Sequence, residues 1–330
     1  SPIEEKRTMR ILSGIGDIVL TTPVIRCVKE QTGAEVHFLT KGKFAGILQH
    51  NPHLNKVWSI DKKLSEVSTQ LRRVGFDYVL DLHNNLRTME LAWHLRKSKF
   101  YRFNKLNVNK WLLTRWKINR LPGIHIVDRY LATAQPLGVV NDRKGLEYHL
   151  GKGDFKVAES FSTSQPYVAF VIGAAHATKC LTEEQKIAFC QQYPDRILLL
   201  GGPAEEEEGA RIAAASGNHV VNTCGQLKLN ESAYLVSKAM AVLTHDTGLM
   251  HIAAAFRKPI ISIWGNTVPD FGMYPYLPGA EQVEKNRRLE VTGLSCRPCS
   301  KIGFSACPQG HFRCVKDIAV VDMLEKVREL

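Results

Sequence analysis

The chain has 330 residues, with 44 Lys and Arg against 32 Asp and Glu for a formal net charge of +12, and is 44% hydrophobic and 8% aromatic. That is a globular composition with an unusual charge, long enough for two domains and a sizeable core. It excludes a membrane-spanning protein: Ala239 to Trp264, the most apolar stretch, is broken by His245, Asp246, Arg257 and Lys258 well short of the roughly 18 apolar residues that cross a bilayer. The excess charge sits entirely in the first half, where residues 1–150 carry 25 basic and 13 acidic side chains against 19 and 19 afterwards. Ser1 to Arg7 lacks the apolar core of a signal peptide, and Cys27, Cys180, Cys190 and Cys224 are scattered singly as in a reducing compartment. Both features predict a cytoplasmic protein, although a chain starting without Met leaves an edited terminus open.

In chain order, Arg10 to Leu12 reads as a first strand, followed by a Gly-containing turn and a helix over Ile18 to Gln31. Strands are predicted at Glu35–Leu39, Lys56–Ile60 and Asp77–Leu82, with helices near Lys43–His50 and up to Val74. The alternation restarts with strands at Tyr167–Ile172, Arg196–Leu200, His219–Val221, Ala241–Thr244 and Pro259–Trp264, separated by helices after Thr182, Ala204, Asn230 and Thr247. Strands alternating with helices at this spacing predict parallel sheets, hence an α/β protein of two Rossmann-like domains. Gly151 to Asp154 and Ser160 to Pro166 read as a linker, which places the boundary near residue 155, giving domains 1–155 and 156–330. Lys316 to Leu330 is predicted as a terminal helix.

Ligands of open parallel sheets bind beyond the carboxyl ends of the strands. Four loops there are chemically loaded. The first, Gly14-Ile15-Gly16-Asp17-Ile18-Val19, is only half a dinucleotide fingerprint, because Val19 stands at the third glycine and Asp17 would oppose a pyrophosphate. Asp17 is either a carboxylate favoured by the helix dipole or a general base towards an alcohol. The second, Gly173 to Lys179, could set a lysine beside a phosphate, or be an exposed loop. In the third, Gly201-Gly202-Pro203-Ala204 precedes Glu205 to Glu208, solvated helix-start acids of which one could bind a ribose diol. The fourth, Thr244 to His251, leads from a strand into an Ala-rich helix, with Thr247 and Gly248 where open backbone N–H groups can hold a diphosphate.

Together these loops resemble glycosyltransferase family nine, the ADP-heptose:lipopolysaccharide heptosyltransferase family. The resemblance is carried by Gly16-Asp17-Ile18-Val19-Leu20-Thr21-Thr22-Pro23, Asp81-Leu82-His83-Asn84-Asn85-Leu86-Arg87, His176-Ala177-Thr178-Lys179, Asp246-Thr247-Gly248-Leu249-Met250-His251, Pro259 and Trp264-Gly265-Asn266-Thr267. It implies a GT-B type glycosyltransferase fold, two Rossmann-like domains facing across a cleft, with acceptor on the first domain and nucleotide sugar on the second. It implies inverting transfer of a heptose from ADP-heptose to the lipopolysaccharide inner core, without metal or other cofactor; another nucleotide sugar, or a non-catalytic saccharide- or nucleic-acid-binding role, are the alternatives. Asp17 matches the family's catalytic base and Lys179 the cation beside the departing diphosphate. Asp246, Thr247, Gly248 and His251 match the donor-binding turn, Thr178 adds a hydroxyl to the phosphates, Glu206 is assigned the ribose, and Arg87 the acidic acceptor. Two departures are expected: a truncated or altered first strand, since Lys6, Arg7 and Arg10 are polar for a central one, and altered packing at Leu181, where many relatives carry Trp.

Residues 87–120 hold ten basic side chains against the single acid Glu90, interleaved with Trp93, Phe100, Tyr101, Phe103, Trp111 and Trp116. Alone, such a tract suits nucleic acid or a solvated face. With the resemblance, it points to an acidic lipid-linked saccharide and a peripheral contact with the anionic inner face of the inner membrane, not to nucleic acid. Cys296, Cys299, Cys307 and Cys314 give C-x2-C-x7-C-x6-C, in which the first pair has zinc-ligand spacing but the second is not a matching knuckle, so structural packing is preferred over zinc.

Overall fold

The computed structural model describes residues 6–11, 14–153, 155–161 and 165–330. The chain forms two units, Ser1–Lys105 with Ile124–Gly151, and Leu106–Gly123 with Lys152–Leu330.

The first unit contains β1 (Arg7–Ile11), α1 (Ile15–Leu20), α2 (Thr22–Thr32), β2 (Glu35–Lys41), β3 (Lys56–Ile60), α3 (Ser65–Val74), β4 (Tyr78–Asp81), α4 (Leu86–His94), β5 (Lys99–Arg102) and α6 (Ile126–Ala134), with α5 (Asn107–Trp116) falling in the second unit. Its strands pair in parallel in the order β3-β2-β1-β4-β5. The expected truncation of the first strand is corrected: β1 is central, pairing from Arg7↔Glu35 to Ile11↔Leu39 on one side and from Thr8↔Tyr78 to Ile11↔Asp81 on the other. Its charge is tolerated because Arg7 lies at the strand's solvent end, bonded to Glu35 at 2.9 Å and to the Val74 carbonyl. Leu39, Trp58, Leu71, Phe76, Val79 and Leu91 share one core cluster. Along α2, buried Arg26 forks onto Asp142 at 2.7 and 2.9 Å, Glu147 at 3.0 Å and the Gly145 carbonyl at 2.8 Å. Burial opposes ionisation of Glu147, yet His149, Arg26 and His53 hold its carboxyl at about 2. The staple fastens the stretch that leads to Gly151.

The second unit contains α7 (Lys156–Glu159), β6 (Val168–Val171), α8 (Glu183–Gln192), β7 (Ile197–Leu200), α9 (Glu206–Ser216), β8 (Val220–Asn222), α10 (Leu229–Lys238), β9 (Ala241–His245), α11 (Gly248–Ala255), β10 (Ile260–Trp264), α12 (Glu281–Glu284), β11 (Asn286–Glu290), α13 (Arg313–Lys316) and α14 (Val320–Arg328). The parallel order is β11-β10-β9-β6-β7-β8. β6, β7, β9 and β10 are buried at every position, as strands covered on both faces must be. Phe170, Phe189, Leu199, Ile212, Leu243 and Leu324 belong to their core.

Residues 106–123 leave the first half of the chain to pack in the second unit. Leu113 of α5 is buried with Val268 and Phe271, Asn119 donates to Asp270 at 2.8 Å, and the Lys117 ammonium donates to the carbonyls of Thr114, Cys296 and Pro298. The basic tract is therefore split between the units, and Lys117 serves packing. Among the described residues, no helix is long and apolar enough to cross a membrane.

Candidate functional site

In the first unit Asp17 stands in the first turn of α1, partly exposed. Gly14, at the helix start, has φ 119°, which L side chains rarely adopt, and an added Cβ would lie 2.9 Å from Asp17 Oδ2. The glycine lets the carboxylate fold back over the helix start. Buried Tyr130 of α6 is its neighbour; burial and then the charge of Asp17 push the phenol up, so Tyr130 stays protonated beside the carboxylate.

Asp81, wholly buried at the end of β4, accepts the N–H groups of His83 at 3.1 Å and Asn84 at 2.7 Å. It thereby shapes the turn into α4, whose start is capped reciprocally by Asn85 and Thr88. Arg87 is the second residue of α4, and its side chain lies outside the described residues.

The carboxyl ends of the second sheet gather the remaining groups. Lys179 ends a short 3-10 turn after β6, and its ammonium donates to Asp246 Oδ2 at 2.6 Å. Asp246 follows β9 and accepts from the Thr267 hydroxyl at 3.2 Å. Thr247 is the N-cap of α11 without bonding back to it, its hydroxyl lying 3.3 Å from that of Thr244, and Gly248 opens the helix. A lysine with two further protons to give thus stands on the same loop cluster as the open N–H groups of a helix start, the elements that hold a diphosphate.

Two residues expected at the donor site lie buried in this unit. The Thr178 hydroxyl donates to Asn266 Oδ1 or the Phe304 carbonyl, both 3.1 Å away, and accepts the Phe304 N–H at 2.8 Å. His251 is likewise buried within α11. Of the four glutamates, Glu205 folds over Gly173 and Gly201 and accepts the Gly202 N–H at 2.8 Å, while Glu208 pairs with buried Lys186 at 2.6 Å. Glu206 is solvent-exposed beside Gly225.

Other residues support the site from behind. His245, fully buried at the end of β9, accepts the Leu181 N–H at 3.0 Å; burial and Lys186 push its pKa down to about 3, so it is a neutral strut under the Lys179 turn. Gly265 is needed because a Cβ there would strike the Thr178 carbonyl and lie 3.4 Å from Lys179 Cα. Arg297, within the cysteine-rich segment, donates to the carbonyls of Gly265 at 2.7 Å, Thr267 at 2.9 Å and Val291 at 3.0 Å and pairs with Glu290 at 2.8 Å. With Phe304 bonded to Thr178, this segment braces both loops that converge on Lys179 and Asp246. All eight cysteines carry free thiols. Among the described residues the side chains close enough to share a metal ion are His53, Glu147 and His149, and the four clustered thiols are not among them.

Arg297→Met is expected to destabilise the protein by about 3 kcal/mol, since it strands Glu290 and three carbonyls, and Arg297→Lys, lacking the planar fork, to recover under half of that. Urea unfolding measures both; a Met variant as stable as the parent removes the brace from the account.

Two α/β units with parallel sheets, one with a cation beside a helix start at its strand ends, have the architecture of GT-B type glycosyltransferases. The model of glycosyltransferase family 9 (heptosyltransferase) matches residues 65–297, and the chain belongs to that family. It is 24% identical over 312 residues to lipopolysaccharide heptosyltransferase 3 of Escherichia coli (strain K12), covering 83% of this chain and 90% of that one. Its fold is similar to the family 9 glycosyl transferase of Veillonella parvula DSM 2008, with TM-score 0.79 and 21% identity over 99% and 98% of the two chains. The E. coli ADP-heptose lps heptosyltransferase II superposes with TM-score 0.72 and 19% identity, over 98% and 97%.

Proposed function

We propose that this glycosyltransferase moves a heptose from ADP-heptose to the inner core of lipopolysaccharide, with inversion and without a catalytic metal, at the cytoplasmic face of the inner membrane. The first unit would hold the acidic, lipid-linked acceptor, with Arg87 on its charge, and the second the nucleotide sugar. The observation that carries the reading is the Lys179–Asp246 pair beside the start of α11: a diphosphate needs positive charge, and here a lysine and open N–H groups supply it in place of a metal.

In the proposed step Asp17 accepts the proton of the acceptor hydroxyl as its oxygen attacks the anomeric carbon. The bond from that carbon to the diphosphate oxygen breaks, and ADP leaves with its new charge on Lys179 and the α11 N–H groups. A single displacement from the face opposite the leaving group inverts the centre. Glu206 is assigned the ribose, and Thr247 and Gly248 the diphosphate. The acidic saccharide, not nucleic acid, is the partner that the first unit's charge suits.

Binding to the native state alone raises the melting temperature. ADP is expected to raise it in the presence of EDTA, at about 100 times its dissociation constant by the equivalent of about 2.7 kcal/mol, with UDP and GDP giving little. A preference for UDP or GDP would assign another nucleotide sugar, and a response that needs a divalent ion would overturn metal independence.

A further inference from the structure

We propose that α4 and the basic pocket at its C-terminal end form a docking site for an anionic lipid surface. The helix has two apolar faces. Leu91 is buried in the core of the first unit, and Leu95, just past the helix end, is buried in the same cluster. Leu86, Met89 and Trp93, at i, i+3 and i+7, are 84%, 56% and 73% exposed and form a second stripe on the solvent side. Folding does not need this stripe, since the core face is already filled.

The stripe ends in a cavity of about 420 Å³ whose lining includes Arg72, Trp93, His94, Arg96 and Lys97 and no carboxylate. Arg72 Nη2 lies 3.1 Å from His94 Nδ1, which fixes the guanidinium at the cavity wall with further N–H groups to give. An apolar stripe that meets a ring of cations at an indole has the chemistry of a helix lying in a headgroup layer, with aliphatic groups in the acyl boundary, tryptophan at the interface and guanidinium groups on lipid phosphate. A second copy of the chain fits less well. A two-fold contact sets the same patch against itself and would bring one ring of cations against another.

The inference rests on the reading of a lipid-linked acceptor and names the surface that would bring the first unit to it. Phosphatidylglycerol-containing vesicles are expected to bind the protein in co-sedimentation and pure phosphatidylcholine vesicles not to. Brominated lipid should quench a share of the fluorescence that is missing in Trp93→Phe. Arg72→Gln/Arg96→Gln/Lys97→Gln is expected to weaken binding about 100-fold, and Met89→Ser/Trp93→Ser at least tenfold. Both variants should keep the ADP-induced thermal shift, and transfer to a delipidated acceptor is measured on the parent protein, so a failure here is distinct from a failure of the donor or reaction assignment. Absence of vesicle binding, or binding that both variants retain, overturns the proposal. So does a dimer that the double variant dissociates, or protection of the cavity by glycerol phosphate without vesicle binding.

Discussion

Asp17→Asn is expected to lower transfer by about 10³-fold while leaving the ADP-induced stabilisation unchanged, because a positioned base contributes roughly 10² to 10⁴. The amide keeps the size of the carboxylate and so keeps the fit against Gly14, but it cannot take a proton. The competing role, a helix-start carboxylate, makes the opposite forecast: a stability loss of about 0.3–1 kcal/mol and normal turnover. Steady-state kinetics beside thermal unfolding separates them, and unchanged turnover would remove Asp17 from the chemistry. Gly14, which admits the carboxylate over the helix start, is compatible with either role.

Lys179→Met is expected to cost about 10² to 10³ in kcat and to weaken ADP, since the leaving diphosphate loses the cation proposed to take its charge. Asp246 loses its 2.6 Å partner in the same variant, although Thr267 still donates to it. The double variant Lys179→Met/Asp246→Asn should be little worse than Lys179→Met, because the aspartate acts by aiming the lysine and the two effects do not add. Lys179→Arg retains the charge but puts a wide planar guanidinium in place of a compact ammonium, and is expected to restore only part of the activity. If Lys179→Met lowers stability and leaves kcat intact, the pair is structural.

The two sheets were legible because fully buried strands are continuous apolar runs. Tyr167–Ile172, Arg196–Leu200 and Pro259–Trp264 announce β6, β7 and β10 within a residue or two. The edge strands β5 and β11 were not, because Lys99-Phe100-Tyr101-Arg102 is partly or fully exposed throughout and only Leu289 of Asn286–Glu290 is buried. A strand with one paired side and a wet face needs no apolar run. β1 failed in the other direction. Lys6, Arg7 and Arg10 suggested a poor strand, whereas backbone hydrogen bonds to two neighbours stabilise a strand irrespective of its charged side chains.

The loops Gly14–Asp17, Ala177–Lys179 and Asp246–Gly248 could be found from residue type and order alone, because a glycine before a helix, a lysine after a strand and a small residue at a helix start have local chemical meaning. Which hydroxyl faces outward does not. Thr178 and Thr247 look alike in sequence, yet one is bonded to Asn266 and Phe304 and the other stands at the N-cap position of α11 without bonding back to the helix. Arg297 was hidden inside a cysteine pattern, and its partners lie 6 to 32 residues away. The amino-acid order by itself determined the α/β alternation, the candidate base and cation, and the charge of the first half. Only the tertiary structure decided that residues 106–123 pack in the second unit, that the cysteine-rich segment braces the Lys179 and Asp246 loops, and that α4 shows a second apolar face. The physical reason is that propensity and helix-end chemistry act over a few residues, whereas burial and hydrogen-bond partnership depend on which distant segments meet.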